Sequence, residues 1–295
     1  MSTRLVRISF DATPGLIREN SAHQAIVAED HNRLASITTL DDLVSPFLNS
    51  VSGAEVIERV GELKGSSLRI LDIGVGLGES SFALASKGHV VTCVEPSADH
   101  CQWIARYADM FGIRLTVVEA TAEALDQLAG EFDVCMFNAS LHHCDDPLRA
   151  LENCYTRLRS GGTILLLNEP ILKSYRSKAW FHRMLREQPL AMGHYGGNEH
   201  TYYYREYREM LRAAGFANIA DRIHVRNERP RQTLQEMLAR QIDGRDVYTD
   251  TAVLVRFIWF LTVARLARVP VLRTMLLLVM KRLSLITVTF TAQRD

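Results

Sequence analysis

The chain has 295 residues, with 34 basic and 34 acidic side chains and a formal net charge of zero. This length fits one large domain or one domain with insertions, and a neutral chain gives no sign of a nucleic-acid partner. Its five cysteines are scattered, without a Cys-x-x-Cys pair, which is typical of a reducing compartment. The apolar part of the first ten residues is too short for a signal peptide. We therefore expect a cytoplasmic protein.

The first 66 residues precede the first predicted buried strand, and we expect them to form an N-terminal helical cap. Helical patterns cover Ser21–Leu34 and Leu40–Val60, with breaks expected near Thr38-Thr39 and Ser45-Pro46. Two roles are open for this cap. It packs against the sheet, or it covers a ligand as a lid.

Apolar runs alternate with helical patterns between residues 68 and 169. Strands are predicted at 68–74, 89–95, 113–119, 132–138 and 163–169, and helices at about 79–87, 97–111, 121–129 and 147–159. Runs that are apolar on both faces and joined by helical crossovers predict an α/β fold with a doubly wound parallel sheet. Ligands of such sheets bind at the carboxyl ends of the strands. Asp72, Glu95, Asn138 and Glu169 fall at such ends.

Three closely spaced glycines follow the first of these strands, at Gly74, Gly76 and Gly78. Glycine allows a tight turn and lets a ligand approach the backbone, and an acid at the end of the second strand, Glu95, is placed to hold a ribose. A dinucleotide loop has the spacing G-x-G-x-x-G, whereas Glu79 occupies the last of those positions here. The loop therefore favours S-adenosylmethionine (SAM) over a pyrophosphate cofactor, although a turn without any ligand is also compatible with it.

Four motifs in order resemble those of class I SAM-dependent methyltransferases of the small-molecule or ubiquinone-biosynthesis type. They are Leu71–Gly78, Val94–Ser97, Phe132–His143 and Leu158–Thr163. The resemblance implies a Rossmann-like, seven-stranded sheet of order 3-2-1-4-5-7-6. It places the sixth strand at Phe216–Val225 and the seventh at Leu285–Thr291. The implied cofactor is SAM, with S-adenosylhomocysteine as its product.

The same resemblance assigns a cofactor-binding set. Its members are Asp72, Gly74, Gly76, Gly78, Glu95, Pro96, Thr121, Ala122, Asn138 and Leu141. Within this set Glu95 would accept hydrogen bonds from both ribose hydroxyls, and Asp72 would meet the amino end of the cofactor. Thr121 and Ala122 would lie at the adenine.

Two adjacent histidines after the fourth strand, His142 and His143, are the candidate general bases. A histidine titrates near neutral pH, and the resemblance implies that this position lies beside the methyl group. Packing on the cofactor or capping the next helix is the alternative role. Adjacent residues rarely point at one ion, and no second ligand pair has metal spacing, so we predict no metal. Substrate contacts are expected from a loop at 170–205, with candidates His194, Tyr195, His200 and Tyr203.

The remaining segment, 230–283, is an apolar and basic helical insertion. It separates the two parts of the predicted methyltransferase core, 67–229 and 284–295. Residues 251–283 carry several arginines and no acid, and their uncharged stretches are too short to span a membrane. Three readings are open: packing on the core, a homodimer interface, or contact with a membrane surface.

These patterns predict a methyltransferase that acts on a small or lipid-linked acceptor, by O-methylation of a sugar or amphiphilic metabolite. C-methylation of a quinone-like lipid is an alternative substrate class. A non-catalytic methyltransferase-like subunit that activates a partner protein is the alternative function. A nucleic-acid acceptor is not expected.

Overall fold

The computed structural model describes residues 3–12, 16–17, 36–172, 176–187, 198–224 and 287–295. The predicted helix Ser21–Leu34, the insertion 230–283, and the candidates His194 and Tyr195 lie outside the described residues. Two compact units are present: the first holds Met1–Leu172, Arg176–Arg222 and Val288–Asp295, and the second holds Lys173–Tyr175 and Ile223–Thr287. The elements below belong almost entirely to the first unit.

Eight strands are described. They are β1 Arg4–Arg7, β2 Arg69–Ile73, β3 Val90–Glu95, β4 Leu115–Glu119, β5 Phe132–Asn138, β6 Leu158–Leu167, β7 Ala217–His224 and β8 Thr287–Gln293. The described α-helices are α1 Leu40–Leu48, α2 Val51–Gly61, α3 Glu79–Ser86, α4 Ala98–Phe111, α5 Pro147–Arg157, α6 Lys178–Glu187 and α7 Tyr204–Ala213. Two short 3₁₀ helices, Ala122–Gln127 and Leu141–His143, follow β4 and β5.

The strands form one sheet of order β1-β4-β3-β2-β5-β6-β8-β7. Strands β1 to β6 pair in parallel, and β8 runs antiparallel to β6. The predicted α/β class is confirmed. Without β1, the order is the expected 3-2-1-4-5-7-6.

The expected count of seven strands is wrong because Arg4–Arg7 adds an eighth at the edge, beside β4. These residues also do not belong to a helical cap. A four-residue strand is too short for its period to be recognised in the sequence. Its Arg7 side chain donates to Glu119 at 2.9 Å, which holds this edge strand to the next one.

Two helix predictions also need correction. Residues 122–127 form a 3₁₀ helix where an α-helix was expected at 121–129. Pro46 lies inside α1, and the break falls at Asn49-Ser50 instead. The break is there because the Ser50 side chain caps α2, accepting from the Gly53 amide at 2.9 Å.

The hydrophobic core lies between the sheet and the helices α1 to α4. Side chains from the central strands, such as Ile70, Val91 and Val134, pack there with Val56 and Phe82 from α2 and α3, and all five are buried. Burial on both faces explains why the strands read as continuous apolar runs. This core fixes the strand ends that carry the site.

A buried ion pair lies on α2. Arg59 contacts Glu55 at 3.1 Å, and the two side chains are 7% and 5% exposed. Glu55 also accepts a hydrogen bond from Thr289 of β8 at 2.9 Å, and Arg59 reaches the exposed Glu58 at 3.0 Å. Because Glu55 is buried, its charge depends on Arg59 for compensation.

We expect the substitution Arg59→Met to lower the free energy of unfolding by about 3–5 kcal/mol, since it leaves a buried carboxylate without its cation. Glu58→Gln removes an exposed partner of the same arginine and should cost no more than about 1 kcal/mol. Urea denaturation followed by circular dichroism measures both. Equal losses in the two variants would contradict a stabilising role for the buried pair.

Candidate cofactor and acceptor site

A cavity of about 1090 Å³ opens at the carboxyl ends of the central strands. Eight of the ten predicted cofactor residues line it: Asp72, Gly74, Gly76, Glu95, Pro96, Thr121, Ala122 and Asn138. Gly78 and Leu141 are not among the lining residues. Gly78 precedes α3 with a positive φ of 83°, and Leu141 is fully buried. The parallel strands bring the predicted residues together, whereas their contacts with a cofactor stay predictions.

The glycine turn after β2 is held by its neighbours. The Gly74 amide donates to the Val94 carbonyl at 2.8 Å. A Cβ on Gly74 would lie 2.6 Å from the Cβ of Ser140, closer than real Cβ atoms approach one another, and the residue has a positive φ of 70°. This position therefore requires glycine for space as well as for backbone conformation.

Glu95, at the end of β3, links the turn to the next helix. Its Oε2 accepts from the Gly76 amide at 2.9 Å, and its Oε1 accepts from the Ser97 amide at 3.1 Å. The residue is 5% exposed and lines the cavity. A carboxylate has about four lone-pair sites. The two amides occupy two of them, and Nδ1 of His100 lies 3.6 Å from Oε1, so Oε2 keeps capacity for a hydroxyl group of a ligand.

Asp72 lies at the bottom of the turn and is 1% exposed. Its Oδ2 accepts from the hydroxyls of Ser80 and Ser81, at 2.7 and 2.6 Å. Burial raises the pKa of Asp72 to about 6, against the opposing effect of the two serine hydrogen bonds. A bound cation would stabilise its ionised form.

The described cavity wall is strongly acidic. Its acids are Asp11, Asp72, Glu79, Glu95, Glu123, Asp126, Asp145 and Asp146. Arg149 is the one arginine among the lining residues, and no lysine is among them. Such a wall repels a pyrophosphate and attracts a ligand with positive charge.

The histidine pair follows β5 on a 3₁₀ turn, with ring centroids 4.1 Å apart. His142 is buried, and its Nδ1 lies 2.8 Å from Oε2 of Glu169. His143 lines the cavity, and its Nδ1 lies 2.8 Å from the carbonyl oxygen of Asn198. Both rings are therefore oriented by an acceptor on their Nδ1 side.

Glu169, at the end of β6, organises this turn. Its Oε1 accepts from the amides of Ser140 and Leu141, both at 2.9 Å. Burial alone would raise its pKa, but His142 and these amides outweigh burial and hold the pKa of Glu169 below its ordinary value. Glu169 is therefore a carboxylate that fixes the histidine turn.

Glu199 completes a cluster with the two histidines. Its Oε2 lies 3.5 Å from Nε2 of His142, and its Oε1 lies 3.9 Å from Nε2 of His143. Burial and the neighbouring His142 lower the pKa of His143 to about 4, and burial raises the pKa of Glu199. Ligand atoms of the three residues lie within 4.8 Å of one another, which is compatible with a shared metal ion.

The described substrate candidates, His200 and Tyr203, are not among the residues that line the cavity, and His200 contacts the histidine pair. The His200 amide donates to the His142 carbonyl at 3.1 Å, and its Nε2 is 3.8 Å from Asp145. Tyr203 precedes α7, and its hydroxyl donates to the Arg176 carbonyl at 2.7 Å. Their contacts with a substrate stay predictions.

The sequence does not predict Glu199 of the cluster, nor Asn198, which contacts His143. The Asn198 side chain donates to the His143 carbonyl at 3.1 Å, so Asn198 both accepts from and donates to the same residue. The only sequence signal is their place in the polar loop that also holds His200. The sequence places Glu169 at a strand end and gives no sign of its contact with His142.

Fold and site together define a doubly wound α/β protein whose cavity suits a nucleoside with positive charge. Residues 71–166 match the family model of the methyltransferase domain. The ubiquinone biosynthesis O-methyltransferase of Caulobacter sp. is 36% identical over 100 residues, which are 34% of this chain and 40% of that protein. The enzyme of the same name from Vibrio parahaemolyticus is 30% identical over 123 residues, 41% of this chain and 51% of that one. The chain thus spans about half or less of these relatives.

Solved structures share the fold. The phosphoethanolamine N-methyltransferase 2 of Haemonchus contortus, in complex with phosphomonomethylethanolamine and S-adenosylhomocysteine, has a TM-score of 0.53 at 15% identity, covering 88% of this chain and 61% of that one. A sarcosine dimethylglycine methyltransferase candidate from Galdieria sulphuraria has a TM-score of 0.52 at 13% identity, covering 82% of each chain. Residues 71–166 are a methyltransferase domain.

No helix among the described residues is both long and apolar enough to cross a membrane.

Burial of Asp72 predicts a pH dependence of stability. A raised folded pKa means that the folded state holds a proton that the unfolded aspartate has released, so the contribution of Asp72 to stability falls as the pH rises from about 4 to about 7. We expect the free energy of unfolding of Asp72→Asn to rise by about 2 kcal/mol relative to that of the parent over that range. Urea titrations at several pH values measure this difference.

Asp42 serves as the control with the opposite sign. It is exposed, and hydrogen bonds from Thr38 and Thr39 lower its pKa to about 2. Its stabilising effect is therefore present above about pH 4 and is lost as the pH falls from about 4 to about 2. The free energy of unfolding of Asp42→Asn should therefore fall relative to that of the parent as the pH rises through this range. A flat difference for Asp72→Asn would contradict the burial of a titrating carboxyl.

Proposed function

We propose that the protein transfers a methyl group from SAM to a hydroxyl of a neutral small or lipid-linked acceptor. The single observation that carries the proposal is that Glu95, the glycine turn and His143 line one acidic cavity. The methyltransferase domain matched over residues 71–166 supports the same reaction class.

The described residues fit the parts of SAM. Glu95 would receive the ribose hydroxyls with the lone pairs that its backbone partners leave open. Asp72 and the acidic wall would stabilise a positively charged ligand, whereas a pyrophosphate would be repelled. When bound, SAM supplies a methyl group on a cationic sulfur, and the carbon–sulfur bond breaks as the acceptor oxygen bonds to that carbon.

The cluster of His142, His143 and Glu199 would activate the acceptor. A hydroxyl must lose its proton before or during the transfer. The two histidines follow β5 and Glu199 lies against them, so this cluster offers titratable groups at the carboxyl end of that strand. Glu169 and Asn198 fix both rings, so the cluster is held in place before the acceptor arrives.

A neutral acceptor is favoured because the described cavity wall carries eight acids against one arginine, Arg149, and because two basic residues of the predicted substrate loop pair with other groups. Lys178 pairs with Glu206 at 2.7 Å, and Arg176 lies over the Trp180 ring at 4.2 Å. Relatives named as O-methyltransferases in ubiquinone biosynthesis support a hydroxyl on a sugar, a lipid-linked precursor or another amphiphilic metabolite. Carbon methylation of a quinone-like lipid would use the same cavity.

We expect isothermal titration calorimetry to detect SAM binding to the parent protein, and Glu95→Ala to weaken it at least tenfold. The reason is that a hydrogen bond to a charged group contributes about 1.5–3 kcal/mol, and about 1.4 kcal/mol corresponds to a factor of ten.

The matched control is Glu119→Gln. Glu119 stands in register with Glu95 on the neighbouring strand and is outside the cavity wall, so this variant should bind SAM like the parent. A parent protein that does not bind SAM would refute the proposal. Undiminished binding by Glu95→Ala would refute the ribose contact.

A further inference from the structure

We propose that His142, His143 and Glu199 bind a divalent transition-metal ion of the zinc type at the cavity. The binding site itself depends only on these side chains. Its catalytic role, activation of the acceptor hydroxyl, rests on the proposed function.

The hydrogen bonds on the Nδ1 side determine the tautomer of both rings. The Asn198 carbonyl can only accept, so Nδ1 of His143 carries the hydrogen. Glu169 already accepts from backbone amides as a carboxylate, so Nδ1 of His142 donates to it in the same way. In the neutral form of each ring, Nε2 then presents its lone pair on the opposite side, where the Glu199 carboxylate lies.

Two lone pairs and a carboxylate that face one another call for a positive charge between them. Metal–ligand bonds of about 2.0–2.2 Å in a tetrahedral site place ligand atoms about 3.4 Å apart. Nε2 of His142 lies 3.5 Å from Oε2 of Glu199, and Nε2 of His143 lies 3.9 Å from Oε1. With one ligand atom taken from each residue, the three atoms lie within 4.8 Å of one another, so a bound metal ion would draw them together by about 1 Å to reach that spacing. Imidazole nitrogens with one carboxylate suit zinc among the divalent ions.

The contacts on the Nδ1 side of the two histidines also match those of a metal site. Metal-binding histidines commonly donate their other ring N–H to a carboxylate or a backbone carbonyl, and here His142 has the first kind of partner and His143 the second. Glu169 is itself held by the amides of Ser140 and Leu141. The ligand geometry is therefore fixed by the fold.

Three protein ligands leave a fourth position open, which is typical of a catalytic site. His143 shares the cavity wall with Glu95 and the glycine turn, so the ion would be held at the edge of the cavity in which the methyl donor is proposed to bind. A metal-bound hydroxyl releases its proton to solvent at neutral pH. The oxygen lone pair then forms the bond to the methyl carbon, and the carbon–sulfur electron pair stays on sulfur.

This proposal replaces the expectation from the sequence that no metal binds. That expectation rests on the rarity of adjacent residues that share one ion. On the 3₁₀ turn Leu141–His143 the two rings lie 4.1 Å apart, and a distant loop supplies the third ligand. Neither feature has a local sequence pattern.

The test is a cobalt titration of the full chain after its metals are removed with a chelator. Tetrahedral or five-coordinate Co²⁺ absorbs in the visible range much more strongly than the hydrated ion. We expect one strongly absorbing ion per chain in the parent. Glu199→Gln and, separately, His142→Ala should each weaken this binding at least tenfold.

Glu209→Gln is the control, because Glu209 lies on α7 with an exposed partner, Arg205, at 3.1 Å, and it should bind Co²⁺ like the parent. Circular dichroism and SAM calorimetry on the same samples report whether each variant is folded. A parent that binds SAM but gives no strong cobalt absorption would overturn the metal site and leave the proposed function intact. Equal cobalt binding by the parent and both folded ligand variants would overturn it as well. If the parent protein does not bind SAM, the result would instead count against the proposed function.

Discussion

The hydrogen bond from the Gly76 amide to Glu95 is the interaction on which the site depends. It joins the turn after β2 to the end of β3 at 2.9 Å, and it places a carboxylate at the cavity beside a turn rich in glycine. Parallel pairing makes this possible, because it brings the carboxyl ends of neighbouring strands to one edge of the sheet. The histidine turn after β5 reaches the same edge for the same reason.

Charge gives this edge its chemical character. The wall of the cavity carries many acids and little compensating positive charge among its described residues. Burial makes Asp72 costly to ionise, as its raised pKa indicates. A ligand with positive charge relieves that cost, which explains how a loop similar to a dinucleotide loop can select a sulfonium cofactor. Glu169 and Glu199, beside His142 and His143, likewise favour a positive charge on the acceptor side of the cavity.

The sequence was sufficient for the central sheet and for eight of the ten predicted cofactor residues, which line the cavity. Strand ends such as Glu95 and Asn138 are local features of apolar runs, and the glycine turn is local as well. Arg4–Arg7 was missed because four residues show too little period, and Pro46 was misread because Ser50 determines where α1 stops. Glu199 could not be predicted, since it reaches His142 and His143 through contacts between segments far apart in the chain.

The central claim is that this cavity performs methyl transfer, and one measurement tests it most directly. Purified protein is incubated with methyl-labelled SAM and a total extract of its source cells, and lipid is then separated from aqueous material. The account predicts label in a small-molecule or lipid product that has gained a methyl group on oxygen. Label on carbon would move the acceptor to a quinone-like lipid. No labelled product in either phase, from protein that binds SAM, would contradict the account and favour a non-catalytic subunit.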